Sequence, residues 1–320
     1  MNTIKQLRAG VFAAAILISS IGLTAPATAQ TNPLSDAGDK AIAWLLTKQE
    51  SDGGFSTGFS KGSDIGATAD VVMAIEASGK SAAEVKSSAG HSPIDFFAQQ
   101  LMLRKAISAG QYAKLALALK SAGLDARNFN GIDATKPILS AYNAETGAIG
   151  DSVYIHALGM LALARNGVAV PAKAVNKLAS LQGKSGGWAF AGGDDADVDT
   201  TALAVQALIA SGQPVKTGVV GKAIGYLHSL QNEDGGYPYQ VPSKFGTESN
   251  ANSTALVAQA IIASGDQPES WAASKGNPLS ALLNLQTKSG AFSYQLSLAD
   301  ENMLATAGAV PALFRKAFGQ

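Results

Sequence analysis

Cysteine is missing from the sequence of 320 residues. Its absence excludes disulfides, thiolate metal sites and cysteine nucleophiles, so the fold must be stabilised by packing alone. An excess of charge of either sign is missing as well, because 24 basic residues balance 24 acidic ones. No electrostatic argument therefore favours a nucleic-acid partner or an anionic membrane surface. What the sequence does contain is 47 % hydrophobic residues, enough for a sizeable core.

The first 29 residues have the pattern of a signal peptide. Lys5 and Arg8 form a basic start, residues 10–23 are apolar, and residues 27–29 are a small-x-small cleavage signal. An N-terminal membrane anchor is the alternative, although the apolar run is short for a span. We predict a signal peptide over 1–29 and a single domain over 30–320, exported to the medium, periplasm or cell surface. The mature chain has no predicted membrane span, and its oligomeric state is open.

Internal repeats dominate the rest of the sequence. Five helical stretches end in glycine, at Gly79, Gly123, Gly167, Gly212 and Gly265, which are 44, 44, 45 and 53 residues apart. A glycine at such a place suits the left-handed conformation that ends a helix. About twelve residues rich in Ala, Leu, Val and Ile precede each of these glycines. A period of this length holds one helical hairpin, and one hairpin must stack on its neighbours to bury its apolar face.

The two helices of each hairpin differ in polarity. The second helix is apolar almost all round, as in residues 201–209, whereas the first carries more charge. A helix that is apolar on every side is a buried one. The pattern predicts about twelve helices in an inner and an outer ring with negligible strand. Sequence alone leaves open whether the rings close into a barrel or form an open superhelix.

A glutamine–glycine–aromatic turn joins the two helices. Residues 49–55, 182–188 and 231–237 each read Gln-x-x-x-Gly-Gly-aromatic, and 286–292 and 143–149 are weaker copies. These turns resemble the repeats of squalene cyclases and of prenyltransferase β-subunits, which implies an all-α fold, the α/α toroid of about six hairpins. We interpret the turn as structural, because paired glycines permit a tight bend and the Gln amide can bind loop backbone.

A finer resemblance rests on three segments, residues 109–119, 125–131 and 305–313. They are similar to exported bacterial proteins related to the α-domain of transcobalamin and intrinsic factor. That resemblance also implies an α6/α6 barrel. Cobalamin is normally held there between this barrel and a second, β-rich domain that has no counterpart in this sequence. We therefore predict no cofactor.

The most reactive-looking group is Asp197-Val198-Asp199-Thr200-Thr201 at the start of an inner helix. It resembles the acid motif of class II terpene cyclases, which implies Asp199 as the proton donor beside Asp197. Such an acid needs an apolar, hydrogen-bonded pocket that keeps it protonated. Helix capping is the alternative explanation, since the repeats align Asp197 with Asp64, Ser152 and Asn250, all good N-cap residues.

Several features argue against catalysis. Carbocation chemistry needs aromatic faces, and Tyr154 is the only aromatic at the predicted lumen. Squalene cyclases also have two toroid domains, whereas this length suits one. A prenyltransferase zinc site needs cysteine, so no metal is predicted, and the three histidines are scattered; a lone His156 facing the interior is best read as a packed core residue. A glycosidase would need facing carboxylates such as Asp64 and Asp199, but nothing selects them.

We predict a binding or interaction protein that holds a small or partly apolar ligand of unknown identity at the mouth of the barrel. A terpene-cyclase-like enzyme is the alternative. All six inner helices should start at one end, gathering polar caps there, including Asp151, Asn250 and Asp300. Buried Gln206 and Gln259 need partners, either on neighbouring helices or on a ligand. The predicted ligand-binding residues are Asp64, Asp197, Asp199, Thr201, Gln206, Asn252, Gln259 and Asn302.

Overall fold

The computed structural model describes residues 32–320 except 60, 104, 105 and 245, so the predicted signal peptide lies outside the described residues. Residues 32–320 form one compact unit. No helix in this described part is long and apolar enough to cross a membrane. Twelve α-helices are present there: α1 (Pro33–Leu46), α2 (Ile65–Ala77), α3 (Pro93–Met102), α4 (Ala109–Ser121), α5 (Lys136–Ser140), α6 (Val153–Arg165), α7 (Ala172–Ser180), α8 (Val198–Ala210), α9 (Gly218–Ser229), α10 (Ala251–Ala263), α11 (Pro278–Asn284) and α12 (Met303–Leu313).

The even-numbered helices form a closed inner ring. Each packs against the next even-numbered helix along the chain, and α12 packs against both α1 and α2. The inner helices are buried almost throughout, as in α8, whereas the outer helix α7 buries only Ala174 and Leu178. The α/α toroid prediction is thus confirmed, and of the two arrangements left open the structure has the closed barrel. Closure needs no special device, because the last hairpin meets the first through the same contacts that join the others.

Each glutamine of the repeated turn links two neighbouring hairpins. The Gln182 side-chain amide donates to the carbonyl of Gly186 in its own turn and to that of Val219 on the next outer helix, both at 2.7 Å. Gln286 does the same across the ring closure, donating to Gly290 at 3.0 Å and to Ala37 of α1 at 2.8 Å. The predicted bond from the Gln amide to loop backbone is confirmed. Its second bond to the next hairpin was not anticipated.

The aromatic residue of each turn is a plug between hairpins. Phe55, Trp188, Tyr237 and Phe292 are all fully buried. In these four repeats the threonine four residues after the inner-helix N-cap accepts the backbone N–H of the plug, as Thr201 Oγ1 does from Trp188 at 2.9 Å. In the third repeat His156 takes the place of that threonine, so its Nδ1 accepts from the backbone N–H of Ile149 at 2.9 Å.

The first glycine of each turn permits close contact with the next hairpin. Gly235 has a φ of +88°, and a Cβ there would overlap the backbone nitrogen of Asn277 at the start of α11. Gly265, which ends α10, has a φ of +82°, but a Cβ there would meet nothing within 4 Å. Both positions require left-handed backbone, yet only Gly235 is also needed for packing.

We therefore expect Gly235→Ala to lower the free energy of unfolding by about 3 kcal/mol, from backbone strain plus overpacking. Gly265→Ala, the matched control, carries only the backbone strain and should cost about 1 kcal/mol. Urea unfolding followed by circular dichroism measures both. Equal losses would mean that the turn does not hold α11 against its neighbour.

A short antiparallel hairpin breaks the helical pattern after the last plug. Strand β1 (Phe292–Gln295) pairs with β2 (Leu298–Asn302), and the second strand is mostly exposed. Glu248 accepts the backbone N–H of Ser297 at 3.0 Å, which ties the hairpin tip to the preceding loop. These strands were not predicted from the sequence, because alternation over four or five residues is too short to stand out.

Candidate functional site

Helical periodicity arranges the lumen of the barrel in layers. The second residue of each inner helix belongs to an upper layer, and the residues four and seven positions later belong to a middle and a lower layer. The upper layer is Gly66, Gly110, Tyr154, Asp199, Asn252 and Leu304. The middle layer is Asp70, Lys114, Leu158, Leu203, Leu256 and Gly308. The lower layer is Met73, Leu117, Leu161, Gln206, Gln259 and Pro311.

A cavity of about 170 Å³ occupies the upper and middle layers. Its wall combines polar and apolar groups from all six inner helices. The lining residues are Asp70, Lys114, Tyr154, Asp199, Asn252, Ala255, Leu256, Gln259, Leu304, Gly308 and Phe318. Gly308 has no side chain to fill the cavity, and a Cβ there would meet nothing within 4 Å. The lumen therefore offers a concave surface of mixed polarity to a small molecule.

Asp199 is the upper-layer acid of this cavity. Its Oδ1 accepts a hydrogen bond of 2.6 Å from Ser253 Oγ at the start of the neighbouring helix α10. Burial raises the pKa of Asp199 to about 7, the Ser253 hydroxyl lowers that pKa in part, and the nearby Asp197 carboxylate raises it further. Asp199 is therefore protonated in a large fraction of molecules near neutral pH, so it can donate a proton or a hydrogen bond.

Asp197 and Thr201 have structural roles instead. The Asp197 carboxylate accepts the backbone N–H groups of Thr200 at 2.7 Å and Phe190 at 2.8 Å. Asp197 is the N-cap of α8 and only 2 % exposed, and Thr201 is fully buried against the Trp188 plug. Neither residue lines the cavity. Within the motif, Asp197 is therefore the N-cap, Asp199 faces the lumen and Thr201 binds the backbone of the plug. Capping explains Asp197 and not Asp199.

Asp64 and Asn302 are likewise caps. Asp64 Oδ1 accepts from the backbone N–H of Ala67 at 2.9 Å, and Asn302 Oδ1 accepts from that of Ala305 at the same distance. Neither lines the cavity, so the carboxylate pair of Asp64 and Asp199 does not face one ligand space. All six inner helices begin with a cap residue at this end of the ring: Asp64, Ser108, Ser152, Asp197, Asn250 and Asn302.

An ion pair crosses the middle layer. Lys114 Nζ lies 2.6 Å from Asp70 Oδ2, with the two side chains 24 % and 13 % exposed. Burial raises the pKa of Asp70. Burial acts to lower the pKa of Lys114, but Asp70, together with Tyr154 and Asp64, outweighs it and holds that pKa above its usual value. This pair was not predicted, although the sequence shows a charged residue four positions after both Gly66 and Gly110 in mostly apolar helices.

Aromatic side chains from the loops surround the mouth. Phe190 stacks on Tyr154 with ring centroids 6.0 Å apart. Tyr239 and Tyr294 lie close enough to the Asp199 carboxylate for it to raise the pKa of each, although burial is the larger cause. These three aromatics, two from loops and Tyr294 from β1, stand two residues after a plug, a regular position that was not predicted from the sequence.

Backbone hydrogen bonds place two of these loops. The carbonyls of Phe190 and Tyr239 accept the first helical N–H groups of α6 and α8, from Val153 and Val198, each at 2.8 Å. These N–H groups have no partner within their own helices. Each loop is therefore fixed over the start of the preceding inner helix, and the mouth has more aromatic surface than Tyr154 alone.

The two buried glutamines lie in the lower layer. Gln259 Nε2 donates to the Gly308 carbonyl at 3.0 Å, and Gln206 Oε1 accepts the backbone N–H of Phe318 at 2.9 Å. The other polar atom of each amide has no hydrogen-bond partner. Gln259 bonds a neighbouring inner helix and also lines the cavity. It therefore has a partner on a helix and a position from which it can contact a ligand. Gln206 instead holds a segment that follows α12.

His156 is a packed residue of the framework. It is 2 % exposed, and its Nε2 lies 3.0 Å from the Ala174 carbonyl while Nδ1 accepts from Ile149. These two partners fix the neutral ring with the proton on Nε2. Burial lowers the pKa of His156, which agrees with a neutral structural role.

A larger open groove of about 490 Å³ lies outside the barrel, where α1 meets the β-hairpin. Trp44 contacts two of its charged side chains. Trp44 Nε1 donates to Glu301 at 3.0 Å, and Lys48 Nζ lies 4.7 Å from the Trp44 ring centroid. We place the candidate site in the lumen, because there Asp199, an acid whose pKa burial raises, lines a cavity bounded by all six inner helices.

Two protein families match the sequence. Residues 142–300 match the squalene-hopene cyclase C-terminal domain, and residues 7–105 match the prenyltransferase α/α toroid domain. No curated protein gives a significant match.

Solved structures with the same fold include enzymes of different classes. The type II terpene cyclase MstE from Scytonema superposes with a TM-score of 0.65 at 15 % identity, covering 89 % of this chain and 98 % of that one. Unsaturated glucuronyl hydrolase from Bacillus sp. GL1 gives 0.63 at 14 % identity, covering 88 % and 95 %. A protein from Actinoplanes gives 0.63 at 15 % identity, covering 88 % and 99 %. Such identities establish the fold alone.

Proposed function

Starting from a toroid built of squalene-hopene-cyclase-like and prenyltransferase-like repeats, we propose that this protein binds a small, partly apolar ligand in the lumen. The cavity of about 170 Å³ beneath the inner-helix starts carries the proposal. Drug-sized ligands occupy roughly 300–1,000 Å³, so the ligand is smaller than these. Asp199 and Asn252 supply hydrogen bonds at the mouth, while Leu256 and Leu304 supply apolar surface.

The empty space beside Gly308 provides the test. A leucine at Gly308 would fill the cavity, so Gly308→Leu should abolish ligand retention. It should also raise the free energy of unfolding by about 1 kcal/mol, since glycine is a poor helix former. Gly225→Leu is the matched control, because Gly225 lies exposed on α9 with nothing within 4 Å of its Cβ position.

Native mass spectrometry of protein purified from its own host measures the retained ligand. We expect an adduct on the parent protein and on Gly225→Leu that is missing from Gly308→Leu. An adduct of equal abundance on all three proteins would place the ligand outside the lumen. The variants Asp199→Asn and Gln206→Ala should weaken retention as well, and unchanged retention in both would contradict this placement of the site.

A second candidate is acid-initiated cyclisation of a short prenyl chain. The pKa of about 7 at Asp199 and the aromatic groups around it favour this candidate. The Asp199 carboxyl would add its proton to a terminal alkene carbon, the resulting cation would close a ring on a second alkene, and a later proton loss would restore the charge balance. Incubation with geraniol and farnesol, analysed by gas chromatography, should give cyclic products that Asp199→Asn does not form. Acyclic products only would leave ligand binding as the function.

The predicted relation to transcobalamin stays a prediction, since none of the families or structures named above is a cobalamin carrier. Export from the cytoplasm likewise stays a prediction that rests on the pattern of residues 1–29.

A further inference from the structure

We infer that residues 314–320 form the floor of the lumen and that Phe318 sets the length of the ligand. This inference rests on the proposed lumen site and adds a specificity determinant to it. The segment follows α12, whose last residue is Leu313. It contributes no residue to the mouth and none to the repeated turns.

The chain reverses direction directly after α12. Arg315 has a φ of 56°, and the Lys316 N–H donates to the Pro311 carbonyl at 2.8 Å. Left-handed backbone at a residue other than glycine costs free energy and persists where its surroundings impose it. The Arg315 guanidinium pairs with Glu269, which holds the reversal from outside. The reversed chain then enters the ring, so Ala317 is only 1 % exposed.

Inside the ring the segment meets the lower layer. The Phe318 N–H donates to Gln206 Oε1 at 2.9 Å. A Cβ on Gly319 would lie 2.5 Å from the Leu117 side chain, so the backbone itself packs there. A gap of only about 20 Å³ is left beside Met73, Gln259 and Pro311. The segment therefore closes the lumen at the lower layer, and Gln206 is the group that binds it.

Phe318 faces the ligand space as well as the gap beneath it. It lines the cavity of about 170 Å³ together with Asp199 and Gly308, and it also lines the small gap. The upper and lower layers are seven residues apart, which at 1.5 Å per residue is about 10 Å. A ligand anchored at Asp199 is therefore stopped by Phe318 after about this length. Shortening the Phe318 side chain would join the two spaces.

Straight-chain primary alcohols from butanol to dodecanol test the length limit, with calorimetry as the readout. Each additional buried methylene contributes about 0.8 kcal/mol, or roughly fourfold in affinity. The affinity of the parent protein should stop rising at a short alcohol, whereas that of Phe318→Ala should keep rising for two or more further carbons, a gain of about tenfold or more. Phe318→Trp should move the limit in the opposite direction.

Phe314→Ala is the matched control, because the Phe314 ring packs against Gly38 of α1 on the outer side. It removes the same ring from the same segment and should keep the length limit of the parent. Equal shifts in Phe314→Ala and Phe318→Ala, or no shift in either, would overturn the inference.

Failure of the proposed function gives a different result, namely that no protein in the series binds any alcohol. Crystal structures under xenon pressure then test independently whether Phe318 closes the lumen, since xenon enters apolar cavities without specific recognition. An extra xenon site at the Phe318 position in Phe318→Ala, continuous with the lumen, supports the floor. Identical xenon sites in that variant and in the parent overturn it.

Discussion

Lys114→Met is expected to lower the free energy of unfolding by roughly 3 kcal/mol at pH 8, because it leaves a buried carboxylate without its partner. The 2.6 Å pair of Lys114 and Asp70 is the cause, with Asp70 only 13 % exposed. Without Lys114 only burial acts strongly on Asp70, so its pKa rises further. At pH 5 the Asp70 carboxyl can then take up a proton, and the loss should be smaller. Urea unfolding at both pH values measures the difference.

The control for this prediction is the double variant Lys114→Met/Asp70→Leu. It replaces the ion pair with apolar groups and should recover most of the lost free energy, because neither charge is then buried alone. If the double variant is as unstable as the single one, loss of packing and not the unpaired Asp70 carboxylate explains the result. If the double variant regains the lost free energy of unfolding but binds no ligand, the ion pair serves binding and not stability.

Asp199→Asn is expected to make the protein more stable at pH 8 and to flatten its stability between about pH 4 and 7. Burial raises the pKa of Asp199 from 3.8 to about 7 in the folded protein. The folded state therefore binds more protons than the unfolded state in this window, so the free energy of unfolding falls as pH rises through it and levels off above about pH 7. The difference of about three pH units corresponds to on the order of 4 kcal/mol.

Two further variants test whether the pH dependence comes from the Asp199 carboxyl. Asp195→Asn removes an exposed carboxyl nearby and should leave the pH profile unchanged. Ser253→Ala removes the hydroxyl that lowers the pKa of Asp199, so the profile should level off at a higher pH than in the parent. The idea of a protonated lumen acid is wrong if Asp199→Asn keeps the full pH dependence of the parent protein.

A stabilising Asp199→Asn would also have functional meaning. A residue that lowers stability when ionised is retained for a reason other than folding. If the same substitution removes the bound molecule or a cyclic product, the cost in stability is tied to the site. Loss of the pH dependence without any change in ligand retention would instead separate the acid from binding.

The sequence by itself determined the framework of this protein. Gly79, Gly123, Gly167, Gly212 and Gly265 end five inner helices at regular intervals, so the hairpin count followed from short-range signals that repeat. The N-cap role of Asp197 and the turn role of Gln182 could be found in the same way. The glycines, the Asp197 cap and the bond from Gln182 to its own turn all act within one hairpin, and local chemistry is what a sequence displays most directly.

Only the tertiary structure decided which residues face the lumen. The inner helices are buried on every side, so they lack the polar face that normally reveals the orientation of a helix. Asp199 and Thr201 stand two residues apart in one motif, yet one faces the cavity and the other holds the Trp188 plug. Ring closure, the contact of Asp70 with Lys114 and the entry of Phe318 into the ring join residues that are distant in sequence or lie on different helices. No local pattern encodes such contacts, because they exist only once all six hairpins are packed around one axis.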